Sequence, residues 1–496
     1  MIISLFLATL RLAAPFSDGA VLQRGMPVPV WGTAEPNARV TVAFAGQEKA
    51  ATAMADGSWR VTLDPLETSC DGRELTVAEQ PSGQQVPNRT VLQDVVVGEV
   101  WYVSGQSNAE CPLWGESPRF RDRNGALTAQ MTDKPLVRMC YASNYRSSPT
   151  PRKFPAYEAR WQKFSRTSLG TGHSFSAVGT YFALGLHAAL GVPVGVVGSY
   201  FGGTCIEPWI PAEGYASVGL DPRACVELTA CHQRPCVLWN EMVSPWTPMA
   251  MRGVVWYQGC SNRNHPERYC QRMHALYNGW AKTFENPDLK IYFVQIAPWA
   301  IGGNPEFQQA QAQFDAEEPN AGMAVINDLG NLTDIHPNEK YTVAKRLLVH
   351  ALKRDYGFPD IRDNSPTLRD WRIEKGRFVL SFDDADGFYI YNQKYCSRET
   401  GFELCGADGV WKPALVANQK VTVRANGDRV YLGQVEGREL VVEAAGVPEP
   451  KRLRYLYSRP WYGSLYNEVG LPLGSFAIDG HRSDVLTGKS GIEACA

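Results

Sequence analysis

Val97-Gly-Glu-Val-Trp-Tyr-Val-Ser-Gly-Gln-Ser-Asn108 is the stretch on which the reading of this chain turns. A mainly β-branched and aromatic run ends abruptly at Gly105-Gln-Ser-Asn108, three of whose residue types favour turns. The run reads as a buried strand, and the turn holds one hydroxyl, that of Ser107, at the strand's carboxyl end. In an open α/β sheet that end is where ligands and reacting groups collect. Gly-Gln-Ser-Asn can equally be a turn and nothing more, so Ser107 gains meaning only from what the rest of the chain supplies. A reacting serine needs a base, and Asp334-Ile-His-Pro337 offers His336 with Asp334 two residues before it.

Working outward, residues 98–360 alternate strand-like and helix-like runs. Ala177 to Leu190 carries Val178, Phe182, Leu186 and Leu190 at helical spacing, with Gly191 as the stop and Val194-Gly-Val-Val-Gly198 as the next strand. Gly253 to Tyr257, the helical Tyr269 to Phe284, Lys290 to Ile296, Met323 to Asn327 and the helical Lys340 to Leu352 continue the series. Buried strands alternating with helices predict an α/β fold with a doubly wound parallel sheet.

The flanks have another texture. Residues 1–97 give short strands and turns (Val28–Gly32, Arg39–Phe44, Ser58–Leu63, Glu74–Val77) punctuated by Asp56-Gly57 and Asp71-Gly72. Residues 361–480 repeat the pattern, with Phe378–Phe382, Lys420–Arg424, Arg429–Leu432, Glu439–Glu443 and a hairpin signal at Asn426-Gly427. Both segments are expected to be β-sandwich-like domains, followed by a tail at 481–496.

Composition excludes several classes of partner. With 496 residues the chain exceeds what one core organises. Its 49 Lys and Arg nearly balance 51 Asp and Glu, which argues against nucleic acid. Twelve cysteines without paired Cys-x-x-Cys clusters fit neither a disulfide scaffold nor a zinc ribbon. Cys225, Cys231 and Cys236, and Cys396 with Cys405, are close enough in sequence to be bridged or to stand as thiols. The apolar start Met1-Ile-Ile-Ser-Leu-Phe-Leu7 is too short to span a bilayer and lacks the charged flank of a signal peptide. It reads as the remains of an export signal, for a secreted or periplasmic protein, or as a first strand.

Four post-strand turns can meet at one edge of a parallel sheet: Gly105–Asn108, Gly198–Thr204, Tyr257–Asn262 and Asp334–Pro337. Such convergence is what a nucleophile, oxyanion donors and a base require. Gly202-Gly203 is a tight turn or a place where bare backbone approaches a developing oxyanion. The Gln258 amide either satisfies loop backbone or donates to that oxyanion.

Gly105-Gln-Ser-Asn108, Gly202-Gly-Thr204, Trp256-Tyr-Gln-Gly259 and Asp334-Ile-His-Pro337 resemble, in order and spacing, the sialate O-acetylesterase family, carbohydrate esterases with an SGNH-hydrolase core. Phe16–Arg24, Val28–Thr33 and Leu465–Pro472 extend the resemblance over nearly the whole chain. It implies a serine esterase that removes acetyl groups from sugar hydroxyls without metal or cofactor. Its substrate is then O-acetylated sialic acid or another acetylated glycan such as xylan. Ser107 is the nucleophile, His336 the base, and the Ser107 N–H, the Gly203 N–H and Gln258 form the oxyanion hole; Asn108 and Asn262 contact substrate.

The chain departs from its relatives where a carboxylate would orient the histidine. Cys260 replaces a frequent Glu, and Thr333 stands where related enzymes carry Asp. Asp334 is the first choice for the triad acid and Asp328 the second. Ala109 and Cys111 replace the usual Met and Trp. The alternatives to sialate esterase are a polysaccharide acetylesterase and a non-catalytic sugar-binding relative. Arg252 and Arg263 lie near enough in sequence to be considered for a sialate carboxylate.

Overall fold

The computed structural model describes residues 10–81, 87–113, 121–123, 133–142, 145–156, 159–165, 175–224, 231–299, 305–330, 332–392, 400–426, 428–457 and 463–479. The apolar residues 1–7, Cys225, Cys396, Gly427 and the tail at 481–496 lie outside them. The chain divides into two compact units, Met1–Trp256 with Ala275–Ile291, and Tyr257–His274 with Tyr292–Ala496.

In the first unit, β1 (Val21–Gln23), β2 (Arg39–Phe44), β3 (Gln47–Thr52) and β4 (Ser69–Gln80) lead into the long strand β5 (Asn88–Gly105). The strand β5 is followed by the short helix α1 (Ser107–Glu110), then β6 (Lys134–Tyr141), β7 (Trp161–Phe164), α2 (Ala177–Leu190), β8 (Val194–Tyr200) and β9 (Gly253–Tyr257). The order of the inner strands is β7-β6-β8-β5-β9. Strand β8 runs parallel to both β5 and β6, from Val194 opposite Glu99 to Tyr200 opposite Gly105.

Strand β5 runs straight through the expected boundary at 97/98. Its first half pairs with β4 and β1, and its second half with β8. No turn residue interrupts Val95 to Val103 except Gly98, where a side chain would strike the Pro193 carbonyl, 1.9 Å from a Cβ position. The bare backbone there lets the Glu99 N–H reach that carbonyl at 2.9 Å. The other N-terminal strands, Arg11–Leu12, Val28–Thr33 and Ser58–Leu63, form a separate three-stranded sheet.

Helix α2 begins and ends where its sequence says. The Ser176 hydroxyl accepts from the Gly179 N–H and caps its start, while Gly191, at φ +68°, turns the chain out of the helix.

The second unit holds the start of α3 (Pro266–Thr283), the later residues of β10 (Lys290–Val294), α4 (Pro305–Glu317), β11 (Ala321–Ala324) and α5 (Lys340–Asp355). From Thr367 onward the described residues form three four-stranded antiparallel sheets, whose buried residues share one core that includes Phe378, Phe382, Phe388, Leu440 and Phe476. This is the expected α/β class, a parallel sheet accompanied by antiparallel β-structure.

Candidate active site

Each unit holds part of the predicted machinery. In the first, β5 delivers Ser107. Gly105 closes the strand at φ +139°, a conformation that disfavours any side chain. The Gln106 carbonyl then accepts from the N–H groups of Ala109 and Glu110, and the Ser107 carbonyl from that of Cys111. Ser107 is thereby fixed as the first residue of α1, partly exposed, while Asn108 behind it is buried.

The turn after β8 lies against it. The Phe201 N–H donates to the Gly105 carbonyl at 3.1 Å, which ties the two strand ends together. A Cβ on Gly202 would stand 3.4 Å from Ser107 Cβ and 3.1 Å from Glu110 Oε2, so the loop backbone passes directly beside the serine. Gly203 is left-handed at φ +75°.

Two side chains that sequence reasoning missed hold this turn. Glu110 Oε2 accepts from the Gly202 N–H at 3.0 Å, and the same carboxylate accepts from the Tyr145 hydroxyl. Gln233 donates to the Gly203 carbonyl at 2.9 Å and accepts from the Cys205 N–H at 2.9 Å. Burial raises the Glu110 carboxyl above its ordinary value, and the bonds from Tyr145 and Gly202 pull it partly back. A glutamate three residues after Ser107 was a visible signal; Gln233, in a loop far along the chain, gave none.

In the second unit, Gln258 follows the end of β9 and is buried. Its Nε2 donates to Asn262 Oδ1 at 2.8 Å, while the Tyr269 hydroxyl lies 3.0 Å from both its carbonyl oxygen and its Oε1. The amide therefore has a fixed sense, with its NH₂ on the Asn262 side. Asn262 is itself buried and orients Gln258.

His336 has its carboxylate beside it. Asp334 Oδ1 accepts from the His336 N–H at 3.0 Å and lies 3.2 Å from His336 Nδ1, with about a quarter of each side chain exposed (27% and 30%). The second candidate acid, Asp328, is committed elsewhere: its two oxygens meet Arg346 at 2.6 and 2.7 Å, both side chains 7% exposed. Burial lowers the His336 pKa, the Asp334 charge raises it, and nearby Lys340 lowers it.

Cys260 is buried, and its carbonyl accepts from Arg263 at 2.9 Å. Arg263 stacks on Trp299, 4.9 Å from the ring centre. Arg252 faces the buried Glu99 at 3.4 Å, beside the Arg24–Glu99 pair at 2.6 Å. Cys231 and Cys405 carry free thiols. Among the described residues no helix is long and apolar enough to cross a membrane.

Comparison with known proteins settles the class. Residues 97–353 match the family model for carbohydrate esterases described as sialic acid-specific acetylesterases. The chain belongs to this family of carbohydrate esterases. Human sialate O-acetylesterase is 29% identical over 389 residues, which cover 72% of this chain and 73% of the human protein; the mouse enzyme is 29% identical over 416 residues. The crystal structure of a carbohydrate acetylesterase from Xanthomonas citri superposes with a TM-score of 0.77 at 29% identity, covering 96% of this chain and all of the other. As a member of the sialic acid-specific acetylesterase family the chain is a hydrolase of carboxylic esters, a carbohydrate O-acetylesterase.

Proposed function

We propose that the chain removes O-acetyl groups from sialic acid, with Ser107 as nucleophile, His336 as general base and acid, and Asp334 orienting the imidazole. In this reading His336 takes the Ser107 proton as the oxygen attacks the acetyl carbonyl. The N–H groups of Ser107 and Gly203, with the Gln258 amide, stabilise the oxyanion. His336 then protonates the departing sugar hydroxyl, leaving an acetyl-serine; water, deprotonated by the same imidazole, releases acetate and restores the serine. Asn108 and Asn262 contact the substrate in this reading, and Asn262 also orients the Gln258 amide. Residues 97–353 are the catalytic segment, and export to a secreted or periplasmic compartment goes with a glycan substrate.

The observation that carries the assignment is the Asp334–His336 pair at 3.2 Å with Asp328 locked to Arg346. It supplies the orienting carboxylate although Cys260 and Thr333 stand where relatives carry an acid. Support for the serine comes from its place at the strand end beside Gly202.

Acetate release measured in parallel on O-acetylated sialosides and acetylated xylan tests the substrate. Saturable release from the sialosides is expected. A strong preference for xylan overturns the sialate choice, and release undiminished in Ser107→Ala overturns the mechanism.

A further inference from the structure

Twelve residues beyond Gln258, helix α3 presents a second set of reactive side chains that the esterase chemistry does not use. Cys270 and His274 are four residues apart on α3 and so lie on one helical face. Glu317, the last residue of α4, reaches the same point. Cys270 Sγ is 3.4 Å from Glu317 Oε2, and His274 Nε2 is 2.9 Å from the same oxygen. The three donor atoms all lie within 4.8 Å of one another, and they are the only such group of His, Cys, Asp and Glu among the described residues.

We propose that Cys270, His274 and Glu317 form a divalent-metal site, with zinc as its preferred ion, that clamps α3 to α4. The donor set is the first argument. A thiolate, a neutral imidazole and a carboxylate together offset a dication, and all three are established zinc donors. Geometry is the second. Tetrahedral zinc with bonds of about 2.0–2.3 Å sets neighbouring N and O donors about 3.3 Å apart and S and O donors about 3.6 Å apart. The observed 2.9 and 3.4 Å need to open by only a few tenths of an ångström.

The surroundings hold these side chains in place. Gln313 donates to Glu317 Oε1 at 2.8 Å, so the carboxylate keeps Oε2 turned toward the cysteine and histidine. The His274 ring packs edge-on against Phe314, centroids 4.9 Å apart. Such supporting contacts orient metal ligands. Cys270 is a free thiol at 9% exposure, while about a quarter of the His274 and Glu317 side chains is open (25% and 29%). Three protein donors on that half-open rim leave the fourth position to water.

Binding replaces the Cys270 thiol proton with the metal, so one proton leaves to solvent for each ion bound. Its consequence is mechanical: Tyr269, next to Cys270, carries the hydroxyl that holds Gln258 and packs on Phe307 of α4, ring centroids 4.3 Å apart. A clamp at 270, 274 and 317 fixes the helix turn that carries Tyr269.

The test is zinc content of the full chain after chelator stripping and dialysis against a buffered zinc solution. One retained equivalent is expected, with a zinc-dependent rise in melting temperature. Cys270→Ser and His274→Gln should each weaken binding by more than the roughly 10–100-fold that loss of a supporting residue costs. Cobalt(II) loaded in place of zinc should show a thiolate-to-metal charge-transfer band that Cys270→Ser abolishes. Absence of stoichiometric zinc from the wild-type chain, or equal retention by Cys270→Ser and His274→Gln, overturns the proposal. So does a cobalt spectrum without the thiolate band.

Discussion

Two aspartate–histidine pairs sit in the second unit, and they are built to opposite ends. At one, His336 Nδ1 lies 3.2 Å from Asp334 and both side chains keep more than a quarter of their surface exposed. At the other, His350 Nδ1 lies 3.1 Å from Asp363 and the pair is sealed, with 1% and 2% exposed. The far nitrogen of His350 is spent as well, 3.2 Å from the Met323 carbonyl, and Asp363 is further held by Arg354 at 2.6 Å and Lys353 at 3.0 Å. The near-identical first hydrogen bond therefore does not by itself tell the two pairs apart. What separates a base from a structural tie is whether the ring is open to a reactant, and whether the carboxylate's charge is left for the imidazole or shared among cations.

The largest effect should come from removing the two imidazoles in turn. His336→Ala is expected to lower kcat/KM by about 10⁴-fold or more, with the melting temperature little changed because its surroundings are half open. His350→Ala is expected to do the reverse, costing about 3 kcal/mol of stability through the broken buried pair while the folded fraction keeps its turnover. Acetate release and thermal unfolding on both variants decide it; full activity in His336→Ala would sink the distinction.

The carboxylates give the same contrast at smaller amplitude. Asp334→Asn should reduce kcat by about 10²–10⁴-fold through a misoriented imidazole. Asp328→Asn should leave kcat intact and destabilise by about 3 kcal/mol, because it uncouples a buried bidentate pair with Arg346. A kcat loss in Asp328→Asn as large as in Asp334→Asn would return Asp328 to candidacy for the triad.

Much of this was legible in the sequence, and the failures have physical causes. Ala177–Leu190 and Gly253–Tyr257 were readable to the residue, because apolar residues at helical spacing, a glycine stop and a purely apolar run are local signals. Strand β5 hid its length: hydrophobicity shows that a strand is buried but not that its hydrogen-bonding partner changes midway. Helix α4 escaped because glutamines face inward. Gln311 takes the Ile296 N–H at 2.9 Å and gives to the Val294 carbonyl at 3.1 Å, while Gln308 gives to the Ile296 carbonyl at 2.8 Å. An apolar stripe is the wrong thing to look for on a helix bonded to a strand end by amides. At the site, residues fixed by motif were visible, whereas Gln233 acts through a fold contact spanning 30 positions.

The smallest expected effect concerns the charge facing His336 from α5. Lys340, the first residue of that helix, is buried, with its ammonium 4.9 Å from the centre of the Tyr257 ring. Burial is the main cause that holds His336 below its ordinary value near 6.5, and the Lys340 charge adds to it while Asp334 opposes both. A general base works only when neutral, so kcat/KM should fall as pH drops through the His336 pKa, and the lowered pKa extends activity to mildly acidic pH. Lys340→Met removes a like charge, which makes the imidazolium easier to form; the acid limb should move to higher pH while the plateau rate stays where it was. Asp334→Asn removes the opposing charge, so whatever activity remains should show its acid limb at lower pH. If the two variants shift the limb in the same direction, the limb does not report His336, and the open pair loses its claim to be the base.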